Sequence, residues 1–493
     1  MMCRVQSCAL NGVQGSIITL EVDKNVGFPG ISIVGLVDNA IQESKQRVKS
    51  AIKHSGFIYP STHLITVNFA PADIRKEGSH FDLALAIALL LDITKLVKPL
   101  PLLLGELSLD GSLRGVRGVL PMLLAAQKQG ITEAVVPAEN VAEVAILQGI
   151  TVKIARNLQD VISYIYGALE LPIAENIPPD EITCDVTFDD IAGQEAAKRA
   201  LLIAASGGHN VLFSGPPGSG KTMLAKAMRS ILPDLPLSER IEVMSIYSAR
   251  GLSYRTSSPP FRSPHHSSSP TSLAGGGSNP HPGEITLAHH GVLFLDEFPE
   301  FSRASLELLR EPLEDRSITI SRAKQSVTFP AAMQLIASMN PCPCGYLGDK
   351  DISCSCRAFE IANYQKKISG PLLDRIDMHI HVPRVSSQSI LTSQHNSLGT
   401  LNYRSIVTRV RAKSLERGFI NTYIPSKKIS GICSMQSSAK QLLISASEKM
   451  HLSGRGINRV LKIARTIADI EYSDEISVSH IAESLQYRLK NTP

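Results

Sequence analysis

The chain has 493 residues, 43% of them hydrophobic and 19% charged, with 50 Lys and Arg against 45 Asp and Glu for a formal net charge of +5. That length exceeds what one hydrophobic core supports, so about two to four domains are expected, and the composition excludes a disordered or low-complexity chain. The overall charge is only weak evidence for an anionic partner, and its distribution is more telling: residues 401–493 hold fifteen Lys and Arg against seven Asp and Glu, a local net of +8 that suits nucleic acid or a solvated helical surface equally well.

Met1-Met2-Cys3-Arg4-Val5-Gln6 leads into polar residues, without the charged start and long apolar core of a signal peptide. The longest apolar run, Leu83 to Leu91, lies between Asp82 and Asp92 and is too short to span a bilayer. Eight cysteines without an export signal point to a reducing, cytoplasmic compartment with no membrane partner.

Residues 1–170 read as the first unit. Ser16–Asp23, Ile31–Leu36 and Leu64–Phe69 have strand character, and Asp38–His54 has helical spacing with Ile41, Val48 and Ile52 inward. Phe81–Leu91 reads as a buried helix, and Glu133–Pro137 and Thr151–Ile154 complete an α/β pattern. Lys76-Glu77-Gly78-Ser79-His80-Phe81-Asp82 and Gly105-Glu106-Leu107-Ser108-Leu109-Asp110-Gly111 through Leu123-Leu124-Ala125-Ala126 resemble the proteolytic domain of the Lon family, which uses a Ser nucleophile and a Lys base. Aligned on Gly78, the nucleophile position falls on His80; aligned on Gly111 and Leu123-Leu124-Ala125-Ala126, the lysine position falls on Leu120. Ser79 lies one place off, with no lysine aligned to serve it. The resemblance therefore implies a proteolytically inactive, structural or partner-binding version of that domain.

Three prolines and several polar residues across 171–185 read as a linker. The second unit, 186–384, opens with a capped helix in Asp189–Leu201. Then Asn210-Val211-Leu212-Phe213 leads into Gly215-Pro216-Pro217-Gly218-Ser219-Gly220-Lys221-Thr222 and Met223–Met228. Strand, glycine-rich turn and helix in that order make a phosphate cradle: backbone N–H groups converge on one anion, Lys221 reaches the β/γ-phosphates and Thr222 offers a hydroxyl to Mg²⁺. Gly291-Val292-Leu293-Phe294-Leu295-Asp296-Glu297 reads as a central strand delivering two carboxylates at its tip, Asp296 for the Mg²⁺ shell and Glu297 to polarise attacking water. Gln334–Pro341 is another strand, tipped by Asn340, and Ser369–Asp377 places Arg375 between two aspartates.

The order of Gly215–Thr222, Asp296-Glu297, Asn340 and Arg375 is similar to that of AAA+ ATPases, and more narrowly of the magnesium-chelatase-like AAA+ family. Phe261–Ser267, Gly275–Gly277, Pro282–Ile285, Ile320–Ala323, Asn340–Gly345 and Arg465–Asp469 carry the narrower resemblance. It implies a P-loop AAA+ α/β core binding ATP and Mg²⁺, with Asn340 as sensor 1, Arg375 as an arginine finger reaching a neighbouring subunit's nucleotide, and Arg455 as sensor 2. It also implies a homo-hexameric ring. The branch of the family with an N-terminal Lon-like unit drives branch migration on single-stranded or branched DNA during recombination of incoming DNA. The alternative is a protein-remodelling chaperone or chelatase-type insertase using the same motor.

Pro259–Gly283 is rich in Pro, Gly, Ser and His, a disordered surface loop on composition and a pore loop by the resemblance. Ser317–Thr328 reads as a hairpin with Arg322 and Lys324 at its tip, placed to meet phosphates. Cys342, Cys344, Cys354 and Cys356 form two C-x-C pairs nine residues apart. Four thiolates suit a structural Zn²⁺, although the one-residue spacing is tighter than usual, and free cysteines are the other reading. Residues 385–400 read as a polar linker and 401–493 as a helical lid, where Arg455, Arg459 and Lys462 share a face and Val460, Ile463, Ala464 and Ile467 form the packing side.

Overall fold

The computed structural model describes residues 2–488 apart from 93, 95, 97, 182–183, 278–279, 323–324, 350 and 386–398. Among these, the first sheet is built on a long antiparallel pair, β1 (Met2–Asn11) and β2 (Gln14–Val26), with β3 (Gly30–Val34) and β4 (His63–Ala70) completing the order β1-β2-β4-β3. β1 is an addition to the strands read from sequence: Cys3, Val5 and Ser7 face the core in alternation, but cysteine and serine give that alternation little hydrophobic contrast. Helices Asn39–His54 and Asp82–Leu90 belong to the same core, the first capped by the Asp38 side chain accepting from the Ile41 N–H. Leu83 through Leu89 are all buried, which explains an apolar run with no polar face. A parallel sheet follows, β5 (Leu102–Leu103), β8 (Glu133–Pro137) and β9 (Thr151–Ala155), with the small pair β6 (Glu106–Leu107) and β7 (Leu113–Arg114).

The segment expected to begin a linker is partly tied down. Leu171 is in the first core, the Ile154 N–H donates to the Pro172 carbonyl at 2.8 Å, and the Ala174 N–H donates to the Val152 carbonyl at 2.9 Å.

The central sheet is parallel throughout, with the order β11 (Phe261–Arg262), β14 (Val292–Leu295), β17 (Gln334–Met339), β10 (Val211–Ser214) and β18 (Met378–His381). β14 and β17 are buried along their whole length, as strands covered on both faces must be. The expected cap in Asp189–Leu201 is displaced: Thr187 and Asp190 form a capping box on a short turn at Phe188–Asp190, and the helix starts at Glu195 without a side-chain cap. Within 259–283 the structure holds β11, a helix at Pro270–Ala274 and the pair β12 (Gly275–Gly276) and β13 (His281–Pro282), so the described part of this stretch is ordered. β15 (Ser317–Arg322) and β16 (Gln325–Pro330) form the expected hairpin, longer at its second strand. Its tip, including Lys324 and the Arg322 side chain, lies outside the described residues.

Helix Leu237–Arg250 joins this core to the first unit. Met244 packs with Leu120 and Ile146, and the Gly118 N–H donates to the Ser248 carbonyl at 3.0 Å. The C-terminal region is helical, Thr400–Glu416, Ser437–Lys449, Gly454–Ile470 and Val478–Gln486, with Tyr403, Val407, Val410, Ile463 and Ile467 buried against the central core. Most of the expected polar linker at 385–400 lies outside the described residues.

Candidate active site

β10, β17 and β14 are neighbours, so their C-terminal tips deliver the phosphate loop, Asn340 and the Asp296-Glu297 pair to one edge of the sheet. β17 lies between the other two and sets the carboxylates one strand away from the loop. A cavity of about 670 Å³ opens there, lined among others by Pro217, Lys221, Thr222, Asp296, Glu297 and Asn340.

The loop turns into helix Lys221–Ile231 at Gly220, whose φ of +87° a side chain would strain. Lys221 folds back across the loop. Its Nζ donates to the Gly215 carbonyl at 2.8 Å, the Pro216 carbonyl at 2.9 Å and Asn340 Oδ1 at 3.3 Å. Burial holds its ammonium below the ordinary lysine value, and the Asp296 carboxylate opposes that shift. Ser219 Oγ is buried in the same loop without a hydrogen-bond partner. A cation whose hydrogen bonds among the described residues go to neutral oxygens, beside a helix N-terminus, fits a polyphosphate.

Asp296 is held at both oxygens. Thr222 Oγ1 donates to Oδ2 at 2.7 Å, Ser338 Oγ donates to Oδ1, and the Glu297 N–H reaches Oδ1 at 3.0 Å. Hydroxyl and carboxylate are hard oxygen donors and suit Mg²⁺. Glu297 has a left-handed backbone, φ +53° and ψ +45°, unusual for a residue with a side chain and costing about 1 kcal/mol or more. The turn aims its carboxylate away from the strand axis, where Oε2 lies 2.8 Å from His266 Nδ1. Sequence reading did not assign His266 a role; the histidine pair within Phe261–Ser267 was its only signal.

The two expected arginines lie elsewhere. Arg375 pairs with Glu314 Oε2 and donates from Nη1 to the Pro371 carbonyl at 2.9 Å, while Arg455 Nη2 donates to Glu314 Oε1 at 2.9 Å. Both line a second cleft of about 310 Å³ that shares no lining residue with the first cavity. The structure thus brings Lys221, Thr222, Asp296, Glu297 and Asn340 together and sets Arg375 and Arg455 apart from them.

Three family models match the chain: magnesium chelatase subunit ChlI over residues 187–390, a second model of that subunit over 20–140, and its C-terminal model over 399–488. Competence protein ComM of Haemophilus influenzae is 42% identical over 500 residues, covering 98% of this chain and 97% of the relative. The chain belongs to the magnesium-chelatase-like AAA+ family. The uncharacterized YifB of Salmonella typhimurium is 41% identical over 98% of this chain and 96% of its own length, and Rv2897c of Mycobacterium tuberculosis is 39% identical over 98% of each. Lon protease 2 of Bacillus subtilis is 29% identical over 176 residues, 32% of this chain and 30% of that protease. Membership of this family implies ATP and Mg²⁺ as cofactors, and the cavity chemistry fits both.

In the Lon-like unit, His80 and Leu120 are buried. His80 Nε2 lies 2.9 Å from the Cys8 carbonyl, and Ser79 Oγ donates to Glu106. Lys76, also buried, donates to the Pro71 carbonyl.

Proposed function

We propose that this chain is an ATP-hydrolysing ring motor that moves branched DNA during recombination of incoming DNA. The observation that carries the hydrolytic part is the convergence of Lys221, Thr222, Asp296, Glu297 and Asn340 on one cavity. Lys221 takes the phosphate charge after releasing its loop carbonyls, Glu297 polarises the attacking water, and Asn340 positions it. Bound Mg²⁺, held by Thr222 and Asp296, would neutralise charge on the phosphates. Arg375 and Arg455 complete the cavity of an adjacent subunit in a homo-hexamer.

Support for DNA as the substrate comes from the full-length likeness to a protein named for competence. The basic balance of 401–493 adds less than its count suggests, because Arg417, Arg459 and Arg465 pair with Asp469 or Asp377, and Arg411 donates to the Ala205 carbonyl. The second reading, a protein-remodelling or chelatase-type insertase motor, requires no exposed basic face on this segment. The Lon-like unit is not a protease on this reading, because the nucleophile and lysine positions of that resemblance fall on His80 and Leu120, both buried.

A junction-migration assay with ATP tests the proposal. Wild type is expected to migrate a synthetic four-way junction, with ATPase stimulated by that DNA. Lys221→Ala and Glu297→Gln are expected to lose migration, Glu297→Gln by at least about a hundredfold, a usual size for removal of a positioned acid–base group. Migration by both variants at the wild-type rate sinks the motor reading. ATPase stimulated by a protein client and indifferent to DNA selects the second one.

A further inference from the structure

The stretch from Asn340 to Lys367 forms much of one side of the nucleotide cavity in two arms. The first arm continues from β17 through Asn340 and Pro343. The second is helix Ala358–Lys366, which contributes Glu360, Asn363 and Tyr364. Direct ties between the arms include one hydrogen bond, Gln365 Nε2 to the Pro341 carbonyl at 3.3 Å. At their junction lie four cysteines.

Cys342 Sγ is 3.4 Å from Cys344 Sγ and 3.6 Å from Cys354 Sγ, Cys344 Sγ is 3.6 Å from Cys354 Sγ, and all four sulfurs, Cys356 included, fall within 4.8 Å of one another. A disulfide requires about 2.05 Å, so these are thiols in contact rather than bonded pairs. A tetrahedral zinc with bonds of about 2.3 Å sets its sulfurs about 3.8 Å apart, close to the spacing seen. A backbone N–H is aimed at the cluster: the Cys344 N–H reaches Cys356 Sγ at 3.3 Å. Such a donor stabilises negative charge on sulfur and orients a metal ligand.

We propose that Cys342, Cys344, Cys354 and Cys356 bind one zinc ion as a tetrathiolate, and that this ion fixes the two arms of the nucleotide cavity to each other. Each thiol gives up its proton on binding, so one Zn²⁺ and four thiols become a dianionic complex and four protons. The knuckle also bears on the phosphate loop. A Cβ on Gly345 would sit 2.6 Å from Pro217 Cδ, and Asn340, two residues before Cys342, accepts from Lys221. Zinc thereby sets where Asn340 and Pro217 stand relative to Lys221. This second half rests on the nucleotide reading of the cavity; the metal site does not.

The test uses the full chain purified without chelator or added metal. Elemental analysis is expected to give one zinc per chain, falling to a small fraction in Cys354→Ser. Should that variant fail to fold, Co²⁺ exchanged into the wild type supplies the second readout, expected to show thiolate-to-cobalt charge transfer and the visible bands of a tetrahedral ion. Absence of zinc together with absence of those bands overturns the site. Zinc that stays in soluble Cys354→Ser also overturns it and points to Glu242, His289 and His290, which also lie close enough to share a cation. Chelation of wild-type zinc is expected to lower ATPase turnover on the order of tenfold, with recovery on re-addition. Unchanged turnover after zinc loss overturns the coupling alone. A zinc-loaded protein that cannot bind ATP overturns the nucleotide reading and leaves the metal site standing.

Discussion

Lys221 and Glu297 both rest on groups other than substrate. Lys221 is spent on two loop carbonyls and Asn340, and Glu297 faces His266. On the proposed reading both contacts must loosen for the phosphates to be met and the water polarised. Three other residues set the acid limit of the fold. Burial pushes His80, His209 and His379 down from 6.5 to about 4, so each is neutral in the native state near neutral pH. Unfolding returns them to water, where they take up protons below about pH 6.5, so the unfolded state binds more protons between about pH 6.5 and 4. Stability must therefore rise with pH across that window and fall as it is acidified, by up to roughly 3 kcal/mol per histidine at the acid end. Urea midpoints measured at about pH 7.5 and about pH 5 are expected to show the loss, and His209→Gln, if it folds, to reduce it. An equal midpoint at both pH values in the wild type would contradict the assignment.

At the scale of elements, the Arg465–Asp469 signature of the sequence turns out to organise the lid rather than the active site. Arg465 is fully buried on helix Gly454–Ile470; its Nη1 donates to the Asp474 carbonyl at 2.6 Å and its Nη2 lies 3.1 Å from Asp469 Oδ1. Asp469 also receives Arg417 Nη1 at 3.1 Å and Asn421 Nδ2 at 2.9 Å. Asp469→Ala leaves buried guanidinium groups uncompensated, with an expected cost of about 3 kcal/mol or more read as a lowered thermal midpoint. A shift within error of zero would show that water replaces the carboxylate. This element also shows what was legible. The 3.6-residue stripe of Val460, Ile463, Ala464 and Ile467 announced the helix, and the apolar runs before Gly215 and Asp296 announced β10 and β14. The hidden elements have specific physical reasons. β1 has Cys3 and Ser7 on either side of Val5 at its alternating buried positions, which leaves little hydrophobic contrast. Helix Leu237–Arg250 buries Val243, Met244, Ser245, Ile246, Tyr247, Ser248 and Ala249 consecutively, so its packing residues form no single stripe. The Glu297–His266 and Arg375–Glu314 contacts cross 31 and 61 positions, beyond the reach of local spacing.

At the scale of the whole molecule, the proposed motor reading gives one chain two halves of a hydrolytic site, each completed by a neighbour. The phosphate loop, carboxylates and Asn340 line one cavity; Arg375 and Arg455 lie in a separate cleft, held together by Glu314. Two cations converge on one carboxylate that is 43% exposed at its side chain, and in the proposed ring a stronger anion from a neighbour would replace it. In the proposed ring, head-to-tail contacts would present each subunit's arginine cleft to the next subunit's phosphate loop. Mixing distinguishes this from an arrangement in which every subunit acts alone. Lys221→Ala and Arg375→Ala are each expected to lose nearly all ATPase. Mixed in equal amounts, they form some interfaces with an intact Lys221 on one side and an intact Arg375 on the other. Random assembly makes these about a quarter of all interfaces, so turnover is expected to recover toward about a quarter of wild type. The double variant Lys221→Ala/Arg375→Ala mixed with either single variant serves as the control, since no pairing of those subunits completes a site. A mixture no more active than its two inactive parts, in rings shown to exchange subunits, would place both arginines outside the neighbour's site and remove the reason for the ring to couple one hydrolysis to the next.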